Sequence, residues 1–127
     1  MFASGLSTTR ALHEGWAWVV IIGNGLAGLW SLAAHRVHSL RTRALWWFIG
    51  FAEVTVFVQV ILGVLLVAKH KVPLPEFHAF YGFVAIIAIA IIYSYRFQLK
   101  NRIYLLYGFG SIFVMGLGIR AMLIAAA

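Results

Sequence analysis

Cysteine is absent from this chain of 127 residues, and charged residues of all kinds make up only 10% of it. Without cysteine, the sequence excludes disulfide scaffolds, thiolate metal sites, thioether-linked haem, iron–sulfur clusters and redox dithiols. Soluble globular domains carry about 25% charged residues, so the scarcity of charge excludes that class as well. Apolar residues account for 64% of the chain and the mean hydropathy is +0.97, which indicates an integral membrane protein.

Four apolar stretches are each long enough to cross a hydrocarbon core of about 30 Å, which takes about 20 helical residues. We predict transmembrane helices at 15–34, 44–68, 77–95 and 104–125. Strands are not expected, because backbone in lipid must be satisfied within helices or closed barrels and the alternating pattern of a barrel strand is missing. The sequence therefore predicts an all-α protein with a single domain over residues 1–127, an antiparallel bundle of four transmembrane helices.

Eight of the ten basic residues, which give the formal net charge of +7, lie in the connections between the apolar runs. The first and third connections each carry three of them and no acid, whereas the second combines Lys69 and Lys71 with Glu76. By the positive-inside rule, the first and third connections are expected in the cytoplasm, with both termini outside the plasma (inner) membrane. Because the basic residues lie where a membrane protein places them, we expect membrane lipids as partners and no nucleic acid.

A weak internal repeat relates residues 13–68 to residues 78–124. Each part reads as a histidine, a helix, a basic connection and a second helix. Two such hairpins predict a bundle with a pseudo-two-fold axis along the membrane normal. That axis would bring His13 and His78 toward each other.

Polar side chains within membrane spans are costly, and they are functional candidates for that reason. Asn24 and Gln59 are most simply interpreted as hydrogen-bonding partners between helices. Glu53 is either a buried carboxyl bonded to a neighbouring helix or a proton-relay group, and we favour the structural role because the spans hold no second acid. Arg120 either reaches outward to the headgroups or lies beside an anionic ligand, such as a haem propionate, at the level of His13 and His78.

Five histidines are candidate ligands, and their positions separate them. His35 and His38 lie among cytoplasmic arginines, and His70 lies in a loop between two lysines, where rigid ligation is difficult. His13 and His78 each begin a predicted helix at the same membrane level. Two neutral imidazoles on facing helices are the usual means by which a helical bundle binds haem b.

The second and third helices resemble the haem A synthase family. The resemblance is carried by Gln59-Val60-Ile61-Leu62-Gly63, by the proline-containing segment Val72-Pro73-Leu74-Pro75, and by His78 at the start of the next helix. It covers about 70 residues. The family fold has two four-helix halves, each holding a haem through a pair of histidines on the outer side. This resemblance implies that His78 is one axial ligand and that His13 is its partner.

Departures from the family pattern concern its chemistry. Arg10 stands where the family has an important carboxylate, three residues before its first ligand, and Glu14 follows His13 where the family has arginine. The outer cysteine pair of many members is absent, and only one four-helix half is present. We therefore do not expect oxidation of a haem methyl group, and we expect only the haem-holding bundle to be kept.

Two main hypotheses follow. In the first, the chain binds one haem b through His13 and His78, with Arg120 near the propionates, and acts in electron transfer, in haem handling or as a subunit of a respiratory-type complex. In the second, it is a cofactor-free accessory or assembly subunit that packs against a larger membrane complex or forms a homo-oligomer. A small transporter using Asn24, Glu53 and Gln59 is a weaker alternative, and a stand-alone enzyme is not expected.

Overall fold

The computed structural model describes residues 2–74 and 77–126, and over these residues the chain is all-helical, as predicted. No strand occurs within the described ranges. The four α-helices are α1 (Phe2–Arg36), α2 (Arg43–Ala68), α3 (His78–Ser94) and α4 (Ile103–Ala126). Short 3₁₀ turns precede α2 and α4, at His38–Leu40 and Lys100–Arg102.

Three segments are long and apolar enough to cross a membrane: Gly5–Arg36, Arg43–Ala68 and Lys100–Ala125. The third helix is also apolar but has only 17 residues, which corresponds to a length of about 26 Å at the usual rise per residue. The structure thus agrees with a membrane location.

The first helix begins at Phe2, well before the predicted start near residue 15. The polar segment before residue 15 is helical because its side chains find partners. Thr9 Oγ1 donates to the carbonyl oxygen of Gly5, one turn earlier, at 2.9 Å, and lies 3.4 Å from His70 Nε2. As a result His13 lies about three turns inside α1, whereas His78 begins α3 as predicted. The predicted positions of Pro75 and Glu76 fall outside the described residues.

Neighbouring helices in the packed structure run antiparallel. Trp16 Nε1, in the first half of α1, donates to the carbonyl oxygen of Thr55 in α2 at 2.8 Å. Near the other end of α1, Ser31 Oγ donates to the carbonyl oxygen of Tyr104, at the start of α4, at 2.7 Å. The first helix therefore packs along both α2 and α4, while α3 packs mainly along α4.

The helix packing is less symmetric than the internal repeat predicts. A pseudo-two-fold axis would exchange α1 with α3 and α2 with α4, so an extensive α1–α4 interface should be matched by an equal α2–α3 interface. The α1–α4 interface is the most extensive in the molecule, but α2 and α3 touch only slightly. The repeat therefore holds for the order of the elements along the chain but not for their packing, because the α2–α3 interface is much smaller than the α1–α4 interface.

The backbones of α1 and α4 approach each other closely at Gly28 and Gly108. A Cβ atom added to Gly28 would lie 2.6 Å from Ile112 Cγ1 and 2.9 Å from the carbonyl oxygen of Gly108. On the opposite helix, Gly108 receives the side chain of Leu32. Small residues permit such close backbone contact, from which membrane helices gain van der Waals attraction.

Two apolar clusters separated by a polar layer form the interior. The cluster near the end of α1 includes Ala34, Leu45 and Tyr107, and the cluster in the other half includes Val20 and Val114. Between them, the buried Asn24 side chain donates from Nδ2 to the carbonyl oxygens of Val20, at 2.9 Å, and of Ala52, at 3.2 Å. This agrees with the interpretation of Asn24 as a link between helices.

Arg41 joins the first basic connection to the start of α4. Its Nε donates to the carbonyl oxygen of Ala34 at 2.7 Å, and its Nη2 donates to that of His35 at 2.8 Å, which satisfies two of the free carbonyls at the end of α1. The same guanidinium lies 4.8 Å from the centre of the Tyr104 ring. The first and third connections, with their basic residues, therefore share one end of the molecule.

We expect Gly28→Ala to destabilise the protein by about 1–3 kcal/mol, because the added methyl group must displace Ile112 or separate the two backbones. The measurement is the free energy of unfolding in detergent micelles, from a sodium dodecyl sulfate titration followed by circular dichroism.

The matched control is Gly116→Ala in α4, where an added Cβ has no atom within 4 Å. This control should leave the stability unchanged or raise it by about 0.5–1 kcal/mol through helix propensity. Equal losses in both variants would show that the α1–α4 contact does not depend on Gly28.

Candidate functional site

The structure brings His13 of α1 and His78 of α3 together across the bundle. Their ring centres lie 5.9 Å apart and the ring planes are inclined by 76°. Both side chains are partly buried. Because α1 and α3 are separated around the bundle by α2 and α4, this contact crosses the bundle interior at the end opposite Arg41.

A backbone carbonyl of α4 orients the His78 ring. The Nδ1 atom lies 2.9 Å from the carbonyl oxygen of Ala121. Because a carbonyl oxygen can only accept, Nδ1 must carry the hydrogen in this bond. In the neutral ring Nε2 therefore carries the free lone pair, which is the form of histidine that binds metals. The preceding residue, Phe77, has a left-handed backbone with φ of 64°, so the chain turns sharply where His78 enters α3.

The second helix supports His13 through two residues four positions apart. Gln59 Nε2 donates to the His13 carbonyl oxygen at 2.8 Å. A Cβ atom added to Gly63 would lie 3.2 Å from His13 Cε1, so the imidazole rests directly against the glycine backbone. Residues four positions apart on a helix share a face, and this face of α2 fixes both the backbone and the ring of His13.

Two buried polar atoms at this site have no hydrogen-bond partner among the described residues: His13 Nδ1 and Gln59 Oε1. A buried polar atom without a partner costs about 1–3 kcal/mol, and proteins tolerate such atoms mainly where a ligand, water or function satisfies them. The histidine pair is therefore a site with unused bonding capacity on its α1–α2 side.

Arg120 lies at the same end of the molecule as the histidine pair. It is the neighbour of Ala121, whose carbonyl oxygen contacts His78, and its side chain is exposed. Within the described ranges, no hydrogen bond joins the Arg120 guanidinium to either histidine. The structure thus brings Arg120 to the predicted end of the molecule, without a hydrogen bond to either ring among the described residues.

The other candidates separate as follows. His70 lies near Thr9 and Gly5 at the end of the molecule that holds the histidine pair. His35 and His38 lie at the opposite end, in and after the last turn of α1. Glu53 is half-buried in the first half of α2, about one turn before Phe57 and well separated along the helix from Gly63.

Sequence reasoning missed the supporting role of Gly63 and the Ala121 carbonyl. Gly63 stood in the segment that carried the family resemblance, but its contact with His13 was not predicted. The spacing of four between Gln59 and Gly63 was a usable signal, because it places both on one helix face. The Ala121 carbonyl had no sequence signal, because every residue has a carbonyl group.

The donor set limits what the site can bind. No group of three or more His, Cys, Asp or Glu side chains suited to a metal ion occurs in the part of the chain that the structure describes. Bare metal ions usually take three or four protein ligands. Two histidines suffice for a metal that brings its own equatorial ligands, as haem does.

Comparison with protein-family models, with curated proteins and with solved structures gives no match for this chain.

Proposed function

We propose that this chain is an integral membrane protein that binds one haem b between His13 and His78 and transfers electrons. The observation that carries the proposal is the ring-centre distance of 5.9 Å between two histidines on opposite helices. In a bis-imidazole centre, two metal–nitrogen bonds of about 2 Å and the radius of each ring, about 1 Å, separate the ring centres by about 6 Å. Axial ligation leaves each ring free to rotate about its bond, so an angle of 76° between the planes is compatible with it.

The hydrogen bonds around the rings support the same assignment. His78 donates through Nδ1 to a backbone carbonyl, the usual partner for the second nitrogen of a metal-bound histidine. On the other side, two atoms are buried without a hydrogen-bond partner among the described residues: His13 Nδ1 and, on the adjacent helix, Gln59 Oε1.

The helix packing supports access for a flat ligand. The α2–α3 seam is the weakest of the interhelical contacts described above, and both histidine rings are partly exposed. An apolar ligand edge could separate α2 from α3 without disturbing the α1–α4 interface. In this arrangement Arg120, exposed at the same end, is the cation available to a propionate.

The ligand set favours electron transfer over catalysis. The bound iron would supply a one-electron redox centre. Because His13 and His78 would both bind the iron, the site would offer no position for oxygen or a substrate. The role of the chain is to hold the ligands, exclude water on the α1–α2 side and offer a partly exposed edge to a redox partner.

The proposed membrane placement has α3 crossing the bilayer with the other three helices. The start of α3 contacts the end of α4, through His78 and Ala121, and the end of α3 lies near the basic connection that leads into α4. Because α3 extends from one end of α4 to the other, α3 must cross the bilayer if α4 does. The arginine-rich end is then cytoplasmic by the positive-inside rule, and the histidine end lies near the outer face.

We expect the purified protein, expressed with ample haem, to show a low-spin b-type difference spectrum between its reduced and oxidised forms. His13→Ala and His78→Ala should each remove most of the signal, because each deletes one axial ligand. Visible spectroscopy with a pyridine haemochrome assay measures both the signal and the haem content.

His35→Ala and His38→Ala serve as controls, since both histidines lie at the opposite end of the molecule. These variants should keep the wild-type spectrum. A wild-type protein that is folded by circular dichroism but spectroscopically flat would refute the haem proposal, and the cofactor-free accessory subunit would then be the better interpretation.

We also expect Gly63→Val to lower the haem content several-fold, because its side chain would push the His13 ring from its position. Gly50→Val is the matched control on the same helix, where an added Cβ meets no atom within 4 Å. The measured quantity is the ratio of haem to protein in each variant. Equal ratios in the two variants would mean that Gly63 does not position the ligand.

A further inference from the structure

A groove runs along the outside of α3 and α4, away from the histidine pair. It has a volume of about 540 Å³. Ile91 and Ile92 line it from α3, and Leu106, Phe109 and Phe113 line it from α4. Gly110 forms part of its floor, where the absence of a side chain lets Ile92 pack closely against α4. The wall along the length of the groove is therefore apolar.

The groove has the length of one bilayer leaflet. It extends from Arg102, immediately before α4, to Phe113 in α4, eleven steps along the chain, which is about 16 Å at about 1.5 Å per step. The hydrocarbon core of a bilayer is about 30 Å thick, so one leaflet contributes about half of that. An acyl chain that lies parallel to the helices would fill the groove from the interface to near the midplane.

Positive charge lies at one end of the groove only. Arg102 lines that end, and Lys100 and Arg96 line a neighbouring pocket of about 500 Å³ around the start of α4. Arg96 is held in place, since its Nη1 donates to the carbonyl oxygen of Tyr93 at 2.7 Å and its guanidinium lies 3.5 Å from the Tyr93 ring centre. The segment 94–103 contains no acidic residue to neutralise these cations.

We infer that this groove is a binding site for an anionic phospholipid of the leaflet on the basic side. The acyl chain lies on Ile92, Phe109 and Phe113, and the phosphate lies near Arg102. Apolar walls alone would accept any lipid, so Arg102 at the mouth, with Lys100 and Arg96 in the neighbouring pocket, is what selects a negatively charged headgroup. The inference rests on the proposed membrane placement but not on haem binding.

The test uses the full chain, reconstituted in vesicles of equal amounts of phosphatidylcholine and phosphatidylglycerol and extracted in mild detergent. Flotation with the vesicles first checks the membrane placement. Native mass spectrometry then counts the lipids of each kind that stay bound. We expect retained phosphatidylglycerol to exceed phosphatidylcholine, and Arg102→Gln to reduce this preference roughly fivefold, the effect of removing one cation near a charged headgroup.

Arg43→Gln is the matched control, because Arg43 is exposed at the same end of the molecule and lies outside the groove. It removes the same charge and should keep the preference. Leu105 of α4 also lines the groove. Leu105→Trp tests the apolar part, since a larger side chain there should lower the number of retained lipids. An equal loss in Arg43→Gln, or unchanged retention in Leu105→Trp, would overturn the inference. Failure to float would instead count against the membrane placement.

Discussion

Close backbone contact between α1 and α4 at Gly28 and Gly108 is the constraint on which the rest of the structure depends. Lipid gives helices no hydrophobic reason to associate, so van der Waals contact at small residues must supply much of the attraction. The crossing also fixes the register of α1 against α4, the pair of helices with the most extensive interface. Because the height of α4 relative to α1 is set there, the Ala121 carbonyl lies where it can orient His78 opposite His13.

Hydrogen bonds from side chains to backbone carbonyls fix the remaining registers. A helical carbonyl oxygen keeps a second lone pair after its helix bond, so it can accept from a neighbouring helix. Five polar side chains use this capacity between helices: Trp16, Asn24, Ser31, Gln59 and His78. Among the described residues, this bonding is incomplete at His13 Nδ1 and Gln59 Oε1 at the histidine end, and at Asn24 Oδ1 in the middle of the bundle.

The two ends of the molecule differ in chemistry. One end holds a pair of imidazoles supported by all four helices, and the other holds arginine and lysine side chains, some of which lie on aromatic rings. The thin α2–α3 seam and the groove outside α3 and α4 both follow from the strength of the α1–α4 interface, since α3 is held mainly by α4 alone. The two proposed ligands bind at different features: haem at the histidine end, beside the α2–α3 seam, and an anionic lipid in the groove outside α3 and α4.

The sequence by itself determined the helical class, the approximate helix positions and the basic connections, because apolar run length and the placement of charge are local properties of the chain. It also singled out His13 and His78 as a pair, from the internal repeat and the family resemblance. The sequence did not predict the early start of α1 at Phe2. The hydroxyl group of Thr9 has its partners, the Gly5 carbonyl oxygen and His70, only in the folded structure. The unequal packing of the two hairpins and the support of His13 by Gly63 were decided only by the tertiary structure. Both depend on which helix faces meet. The sequence could not decide this, because small residues that permit close packing occur on several helices.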